Sequence, residues 1–498
     1  MKLTPTLEEF KRLSQQANLV AVSTQLDTDL DTPVSMYYKL VGEEKGFLLE
    51  SVDAHQKFGR FSFLGAEPFI NLQIYKNRLM IQEEDKMQAL DGTPAATMNK
   101  YMQHLKTVLH NQELPLANGG AVGYFNYEMS AVLDRVRGLE IKEDELLGQF
   151  MICRILMVFD QQKNASQLIY LADVSDTNEL DALYEKVQQR MQELKERLCQ
   201  PVRSCGAAAA PRKEKLDFMA QYGKMPPDFA RTIDRCKEYI NAGDIFQVVP
   251  SKQFRTRLTK PAFLFYRRLR QINPSPYMFY LNFGKKKFVA ASPEMLVKTA
   301  GKYVYTYPIA GTRRRGKTEA EDAALESELK KDSKECAEHS MLVDLARNDI
   351  GRISKPGTVA VTKLRQVERF SHVMHMVSEV RGELREGYTP MDVLSACFPA
   401  GTVSGAPKLR AMEIINELEP VRRGPYAGTV GYMDFDGNMD MCITLRTMYI
   451  DGDDAYIQSG AGIVYDSKAE FEYKEILQKS KAMFTVVEEV ENDVAAFR

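Results

Sequence analysis

The first 200 residues contain many short strand-like runs, most of them separated only by turns. The runs cover residues 19–25, 46–52, 60–66, 69–75, 78–82, 120–126, 149–160 and 167–172. Strands that follow one another this directly favour antiparallel pairing, because a parallel pair needs a long crossover. Helix starts are marked by Thr6 with Glu9, by Thr32-Pro33 and by Thr93-Pro94. The pattern therefore predicts a largely antiparallel sheet with helices between some of its strands.

Composition excludes several classes of protein. The 498 residues include 66 basic and 68 acidic side chains, so the sequence lacks the basic excess of a nucleic-acid-binding protein. Six histidines and seven cysteines are scattered without zinc-site spacing. The apolar run 149–160 is interrupted by Arg154 and too short to span a membrane, and the N-terminus lacks a signal peptide's apolar core. The odd cysteine count favours a reducing compartment, so we expect a cytoplasmic globular protein without a membrane partner.

Residues 200–227 are the best linker candidate in the chain. They combine small residues, a short charged run and several prolines. We therefore expect an N-terminal region over 1–200 and a C-terminal region over 228–490.

The segment 333–349 is predicted to be a helix with one buried face. Ser333 is the expected N-cap, and Gly351 is the expected stop. The apolar residues at helical spacing are Met341, Leu342 and Leu345.

Two pairs of glutamates share the spacing Glu-x-x-Glu, which places both acids of a pair on one side of a helix. Glu335 and Glu338 belong to the helix just described, and Glu472 and Glu475 belong to the helix predicted over 470–482. Acids near a helix N-terminus can simply complement its dipole. If the two helices faced each other, however, the four carboxylates would form an oxygen-rich site suited to Mg²⁺. Spacing alone leaves both interpretations open.

Three glycine-containing loops follow predicted strands or precede helices. The loop 309–316 joins two glycines to a threonine and three arginines, a pattern that fits either anion binding or solvated surface. The other two loops are 401–408 and 459–462. The sequence contains neither a P-loop nor a dinucleotide-binding glycine pattern.

Glu50 and Ser51 end an apolar strand-like run. A carboxylate buried there needs a partner. It can be a satisfied polar group of the core or part of a ligand site, and composition does not decide between them.

Taken in order, these motifs resemble the chorismate-utilising enzymes, and within them the anthranilate synthase component I group. The similarity covers nearly the whole chain. Its segments are 48–51, 273–280, 308–316, 335–349, 373–375, 401–408, 424–431, 460–462 and 472–475, together with Arg446. The fold implied is α+β, with two large antiparallel β-sheets packed as a sandwich and helices outside.

The resemblance also implies functional residues. Glu338 and Glu475 would hold Mg²⁺, with Glu335 and Glu472 in or next to its coordination shell, and the ion would bind the ring carboxylate of chorismate. A guanidinium such as that of Arg446 can bind a carboxylate through two hydrogen bonds. The implied chorismate contacts are Gly311, Thr312, Tyr426, Arg446, Gly460, Ala461 and Gly462.

Two positions distinguish the branches of this family. Isochorismate and salicylate synthases resemble this chain but carry a lysine base where it has Gln247, and glutamine cannot remove a proton. Aminodeoxychorismate synthases typically carry a nucleophilic lysine where it has Ala310. The remaining chemistry is direct attack by ammonia. This chemistry characterises the anthranilate branch of the family, whose members are lyases of tryptophan biosynthesis.

The implied reaction adds ammonia at C2 of chorismate as the C4 hydroxyl leaves, and then expels pyruvate to give anthranilate. Catalytic roles would fall to His375 at the ring and to Thr402, which would position the nitrogen. The alternative for His375 is a core histidine on a strand. Other candidate functions are an aminodeoxychorismate synthase component I, which stops before pyruvate elimination, and a non-catalytic amino-acid-binding homologue.

The resemblance implies a partner and an inhibitor as well. The sequence shows no Gly-x-Cys-x-Gly elbow and no room for an amidotransferase domain, so we expect a separate glutamine amidotransferase subunit in a heterotetramer of two of each. Tryptophan would bind as a feedback inhibitor where two distant segments meet. Its residues would be Glu50, Ser51, Pro276, Tyr277 and Met278.

Overall fold

The computed structural model describes residues 1–51, 60–105, 107, 115–134, 136–163, 165–175, 179–202, 215–369 and 373–492. Helices and strands are mixed along this part of the chain, so the α+β class is confirmed. Residues 203–214 of the expected linker lie outside the described residues, and the division into two regions stays a prediction.

The α-helices have the following bounds: α1 Leu7–Ser14, α2 Pro33–Leu40, α3 Pro94–His104, α4 Ser130–Leu133, α5 Leu180–Cys199, α6 Phe218–Tyr222, α7 Pro227–Asn241, α8 Ala262–Ile272, α9 Glu319–Lys331, α10 Ser333–Gly351, α11 Pro390–Cys397, α12 Lys408–Leu418 and α13 Ala469–Asn492.

The strands have the following bounds: β1 Leu19–Asp27, β2 Gly46–Glu50, β3 Phe61–Ile74, β4 Arg78–Glu83, β5 Lys86–Asp91, β6 Gly120–Phe125, β7 Gly148–Asp160, β8 Ala165–Asp173, β9 Gln247–Val248, β10 Ser251–Arg257, β11 Tyr277–Asn282, β12 Lys286–Ser292, β13 Met295–Ala300, β14 Tyr303–Thr306, β15 Ile309–Arg314, β16 Ala360–Arg369, β17 Val373–Glu383, β18 Gly405–Ala406, β19 Thr429–Asp434, β20 Met439–Ile443, β21 Thr447–Asp451 and β22 Asp454–Gly460.

The predicted helix starts are observed. Thr6 and Thr32 each close a capping box, and the Thr93 side chain accepts a hydrogen bond from the amide of Ala96.

One long strand replaces the two that the sequence predicts over 60–66 and 69–75. Glu67 takes a left-handed φ of 55° and Pro68 follows it, which is why the sequence reads as a break. The strand β3 nevertheless continues through the kink as an irregularity in its pairing with β7.

Two large antiparallel sheets share the long strands β3 and β7. Before the kink of β3, the pairing order is β10-β22-β21-β12-β11-β2-β3-β7-β8-β1. After it, the order is β5-β4-β3-β7-β6-β19-β20-β13-β14-β17, with β15 and β16 also on β17. Both sheets therefore contain strands from the N-terminal and the C-terminal halves of the chain.

Aromatic side chains join the two sheets in one core. The ring of Tyr124 on β6 lies 4.6 Å from that of Phe288 on β12, and both residues are fully buried. A ring pair of this kind adds to the free energy gained by burying apolar surface. The predicted packing of two sheets is confirmed. Among the described residues, no helix is long and apolar enough to cross a membrane.

The helix α10 differs from its prediction in two respects. Its N-cap is Asp332 rather than Ser333, because the Asp332 carboxylate accepts the amides of Lys334 and Glu335 at 3.0 and 3.1 Å. Its predicted apolar face is only half-buried. The fully buried stripe is instead His339, Val343, Ala346 and Ile350.

Candidate active site

The pairing of β15 with β17 places Thr312 opposite His375. The Nδ1 atom of His375 lies 3.0 Å from Thr312 Oγ1 and 3.2 Å from the carbonyl oxygen of Gly311. A carbonyl can only accept, so Nδ1 carries the proton and Nε2 the basic lone pair. Burial lowers the pKa of His375, and the nearby positive charge of Arg446 lowers it further. The imidazole is therefore neutral at neutral pH.

Gly311 forms the irregular step in this strand pair and takes a left-handed φ of 74°. A Cβ atom at this position would lie 3.0 Å from Leu329 Cδ1 and 3.2 Å from Glu335 Oε2. Glycine is favoured here by its backbone angle and by the tight approach of α10.

Glu294, which sequence reasoning missed, lies at the same site. The hydroxyl of Thr402 donates a 2.9 Å hydrogen bond to Glu294 Oε1. Burial raises the pKa of Glu294 to about 7, even though this bond and the charges of Lys479 and Arg446 lower it. A carboxyl group with such a pKa can give or take a proton near neutral pH. The available signal was a lone acid within the apolar run 288–297.

Arg446 connects these groups electrostatically. Its charge acts on both His375 and Glu294, and burial lowers its own pKa. It also takes a left-handed φ of 45°, a conformation uncommon outside glycine and often found at functional sites.

The predicted segment Gly460, Ala461 and Gly462 lies beside Tyr426. A Cβ atom at Gly460 would come within 2.8 Å of the Tyr426 hydroxyl. The carbonyl of Gly460 accepts a 3.0 Å hydrogen bond from Lys479, and the amide of Ala461 donates to Pro250.

Gln247 lies beside the same glycine segment. A Cβ atom at Gly462 would come within 2.5 Å of Gln247 Nε2. Gln247 is thus adjacent to the predicted chorismate contacts.

The two glutamate pairs approach each other. Burial raises the pKa of Glu338, and the negative charges of Glu335 and Glu475 raise it further. Burial also raises the pKa of Glu472, with a further contribution from Glu475. The helices α10 and α13 therefore present their acids to a common region.

Cationic side chains hold two of these acids. Glu335 accepts a 3.2 Å hydrogen bond from Arg313, and Glu475 forms a 2.8 Å ion pair with Lys479. In the described part of the chain, no three His, Cys, Asp or Glu side chains are grouped closely enough to hold a metal ion. The donor chemistry still fits Mg²⁺, because neighbouring carboxylates that repel one another are relieved by a divalent cation.

The five residues predicted to bind an inhibitor line one cavity of about 340 Å³. Strand β2 pairs with β11 so that Glu50 lies opposite Met278, which joins the two distant segments. The hydroxyl of Ser51 is buried and has no hydrogen-bond partner among the described residues. A buried hydroxyl without a partner costs free energy that a bound ligand can recover.

Glu50 already has protein partners in this cavity. Its side chain is fully buried, and its carboxylate accepts 2.6 Å and 3.0 Å hydrogen bonds from Tyr266 and Arg270. A carboxylate offers about four lone-pair sites, so these bonds leave capacity for another donor.

Comparison with known proteins gives a consistent result. The family model described as chorismate binding enzyme matches residues 46–485. Anthranilate synthase component 1 of Acetivibrio thermocellus is 42% identical, over 97% of this chain and 98% of its own. The protein of the same name from Pseudomonas aeruginosa is 41% identical, over 98% and 99%.

Solved structures show the same fold. Anthranilate synthase component I from Streptococcus pneumoniae superimposes with a TM-score of 0.73 at 38% identity, over 86% of this chain and 92% of its own. The menaquinone-specific isochorismate synthase of Escherichia coli gives a TM-score of 0.70 at 18% identity, over 97% and 99%. At that identity the second similarity concerns the fold alone.

Proposed function

This chain belongs to the chorismate binding enzymes, and we propose that it is the component of an anthranilate synthase that converts chorismate and ammonia into anthranilate and pyruvate. The observation that carries this proposal is the similarity to anthranilate synthase component 1 proteins over nearly the full length of both chains. The site residues agree with it, because Gln247 and Ala310 provide neither a base for water nor a covalent nucleophile.

Arg446 and Tyr426 would orient the substrate. The half-buried guanidinium of Arg446 can bind a carboxylate of chorismate through two hydrogen bonds, and its partial removal from water strengthens that contact. The Tyr426 hydroxyl and the backbone at Gly460 would bound the other side of the ring. Holding the ring between these groups keeps its reacting carbon near His375 and Glu294.

In the first step, a bond forms between nitrogen and C2 while the C4–O bond breaks. The added nitrogen loses one proton and the departing oxygen gains one. Glu294 suits this transfer because its pKa of about 7 allows it to act in either direction. Thr402 would position the nitrogen next to that carboxyl group.

In the second step, C2 loses its proton and the bond between the ring carbon and the enolpyruvyl oxygen breaks, which aromatises the ring. The departing enolpyruvate gains one proton and becomes pyruvate. Neutral His375 is suited to accept this proton at Nε2, since the carbonyl of Gly311 keeps the other proton on Nδ1. The fixed tautomer makes the histidine ready to act as a base.

Glu338 and Glu475 would hold Mg²⁺, with Glu335 and Glu472 beside them. Bound there, the ion would supply Lewis-acid polarisation of the ring carboxylate. The proposal is supported by the shared electrostatic environment of the four acids.

A partner and a compartment belong to the same proposal. The name component 1 of the related proteins implies a second component, and we assign it to a glutamine amidotransferase subunit that supplies ammonia, with two copies of each chain. The cysteines of the described residues are free, which suits a reducing compartment such as the cytoplasm.

Tryptophan is the proposed ligand of the 340 Å³ cavity. Met278 and the neighbouring aromatic residues would pack the indole, Ser51 would bond the polar end, and Glu50 would attract the ammonium. Because β2 and β11 come from different halves of the chain, the ligand would favour one arrangement of the two and so inhibit.

One assay tests the function directly. The purified protein is incubated with chorismate, magnesium and ammonium at alkaline pH, and anthranilate is followed by its fluorescence. Anthranilate and pyruvate in equal amounts are expected. Accumulation of an amino-deoxy product without pyruvate would instead identify an aminodeoxychorismate synthase.

A further inference from the structure

His339 is a fully buried histidine in the apolar stripe of α10. Its Nε2 lies 2.6 Å from Ser378 Oγ on β17, whereas Nδ1 has no hydrogen-bond partner among the described residues. A half-satisfied buried imidazole costs free energy that an apolar side chain would avoid. The bond to Ser378 is therefore the feature that distinguishes a histidine from an apolar residue here.

A third element joins this bond. Arg365 takes a left-handed φ of 51° at an irregular step of β16. Its backbone N–H donates to Ser378 Oγ at 2.9 Å, and its guanidinium donates to the hydroxyl of Ser340 and, at 3.4 Å, to the carbonyl of Cys336. The uncommon backbone angle thus directs one residue to both β17 and α10.

The three elements meet at positions that are close along the chain to the proposed metal ligands and to the proposed base. His339 follows Glu338 directly and lies one turn after Glu335. Ser378 lies three residues after His375 on the same strand. Any shift of α10 along β17 would change the distance from these carboxylates to that imidazole.

We propose that His339, Arg365 and Ser378 form a positioning node that fixes the carboxylate helix α10 against the histidine strand β17. This proposal rests on the proposed function, which assigns metal binding to Glu338 and proton transfer to His375. The node touches neither the substrate nor the metal. It acts by keeping the metal ligands and the catalytic histidine at the separation that one ring of substrate spans.

The decisive comparison is His339→Gln against His339→Met. Glutamine can place an amide N–H where Nε2 now lies and keep the bond to Ser378, whereas methionine fills similar volume without it. Magnesium chloride is titrated into each protein by calorimetry, with chorismate present and ammonium absent. We expect His339→Met and Ser378→Ala to weaken magnesium binding about five- to tenfold, the loss typical of one hydrogen bond, and His339→Gln to stay near the wild type.

Matched variants separate positioning from general stability. Ser354→Ala removes another buried hydroxyl of this region, one that bonds only to the carbonyl of Ile350 at 2.7 Å among the contacts described. It should lower the melting temperature without changing magnesium affinity. Arg365→Gly keeps the left-handed backbone and the N–H to Ser378 but loses the guanidinium, so an intermediate loss of affinity is expected.

Three results would overturn the node. The first is an unchanged magnesium affinity in His339→Met and Ser378→Ala despite a lower melting temperature. The second is the same magnesium affinity in His339→Gln and His339→Met. The third is the absence of magnesium binding by the wild type. If Ser378→Ala does not fold, the two His339 variants still decide. A wild type that binds magnesium but forms no anthranilate would refute the proposed function and leave the node testable.

Discussion

The hydroxyl of Thr402 lies 2.9 Å from a carboxyl oxygen of Glu294 and donates a hydrogen bond to it. The pair joins the turn after α11 to the strand connection between β12 and β13, close to Arg446 and Lys479. A carboxyl group with a pKa of about 7 is thus held beside Thr402, the residue proposed to position the nitrogen.

Glu294→Gln should lower turnover about 100-fold or more, because it removes a proton-transfer group while keeping its shape. It should also change the pH dependence of unfolding. The folded pKa is raised from 4.5 to about 7, so the group contributes stability that is fully present below pH 4.5 and is lost as the pH rises from 4.5 through 7. Chemical denaturation between pH 4 and 8 should show a flatter profile in the variant.

Glu128 supplies the matched control for this experiment. Burial raises its pKa to about 7 as well, but it bonds to the amides of Arg423 and Gly424 and is assigned no part in the reaction. Glu128→Gln should flatten the stability profile and keep turnover. Equal loss of activity in both variants would remove the assigned role of Glu294.

Glu338→Gln and Glu475→Gln should each abolish activity at ordinary magnesium concentrations while leaving circular dichroism unchanged. Each removes a formal charge from a site for a hard cation but preserves the side-chain shape. Asp344→Asn is the control, because Asp344 is an exposed acid on the same helix paired only with Arg347 among the contacts described. Near-normal turnover in either glutamine variant would exclude that residue as a ligand.

His375→Ala should lower turnover about 100-fold while chorismate affinity stays close to that of the wild type, since an acid–base group is lost and the binding groups remain. Rapid-mixing turnover and equilibrium binding of chorismate measure the two effects separately. Collapse of binding with turnover preserved would make His375 a structural residue.

Gly311→Ala should destabilise the protein more than Gly301→Ala. Both glycines have positive φ, but a Cβ atom at Gly301 would have nothing within 4 Å, whereas one at Gly311 would press on Leu329 and Glu335. The left-handed backbone costs about 1–2 kcal/mol in each variant, and the tight contact adds about 1–3 kcal/mol at Gly311. Urea denaturation of the two variants isolates that difference, and equal midpoints would contradict it.

Ser51→Phe should project a ring into the 340 Å³ cavity, block the space for an indole and give an active enzyme that tryptophan no longer inhibits. Ser51→Ala should keep the cavity open and weaken tryptophan binding about fivefold, the effect of one lost hydrogen bond. Calorimetry measures both affinities, and reciprocity requires chorismate to weaken tryptophan binding in the wild type. Unchanged affinity in Ser51→Phe, or no competition from chorismate, would refute the assignment.

The sequence predicted features that depend on neighbouring residues. The capping threonines are confirmed, as is the pattern of short antiparallel strands. The apolar periodicity predicted the wrong buried face of α10. The buried stripe contains His339, a polar residue that a search for apolar residues leaves out, whereas Met341 is half-buried.

Features that depend on contacts between residues far apart in the chain could not be predicted from local sequence patterns. Glu294 became a site residue only because Thr402 meets it from 108 positions away. In the same way, no local pattern could show that Glu50 pairs opposite Met278. The resemblance to a known family supplied the proposed metal and inhibitor residues, and the pairing of β2 with β11 explains how the two inhibitor segments meet.

The interleaving of the two halves has a consequence for synthesis on the ribosome. Strand β2 is bordered by β3 and β11, and β6 is bordered by β7 and β19, so each has one neighbour that is translated much later. The strands of the N-terminal half therefore leave the ribosome with unpaired edges, which can pair with other extended chains. They stay in that condition until residues 277–282 and 429–434 have been added, which makes completion of the fold a late, long-range event in the life of the nascent polypeptide.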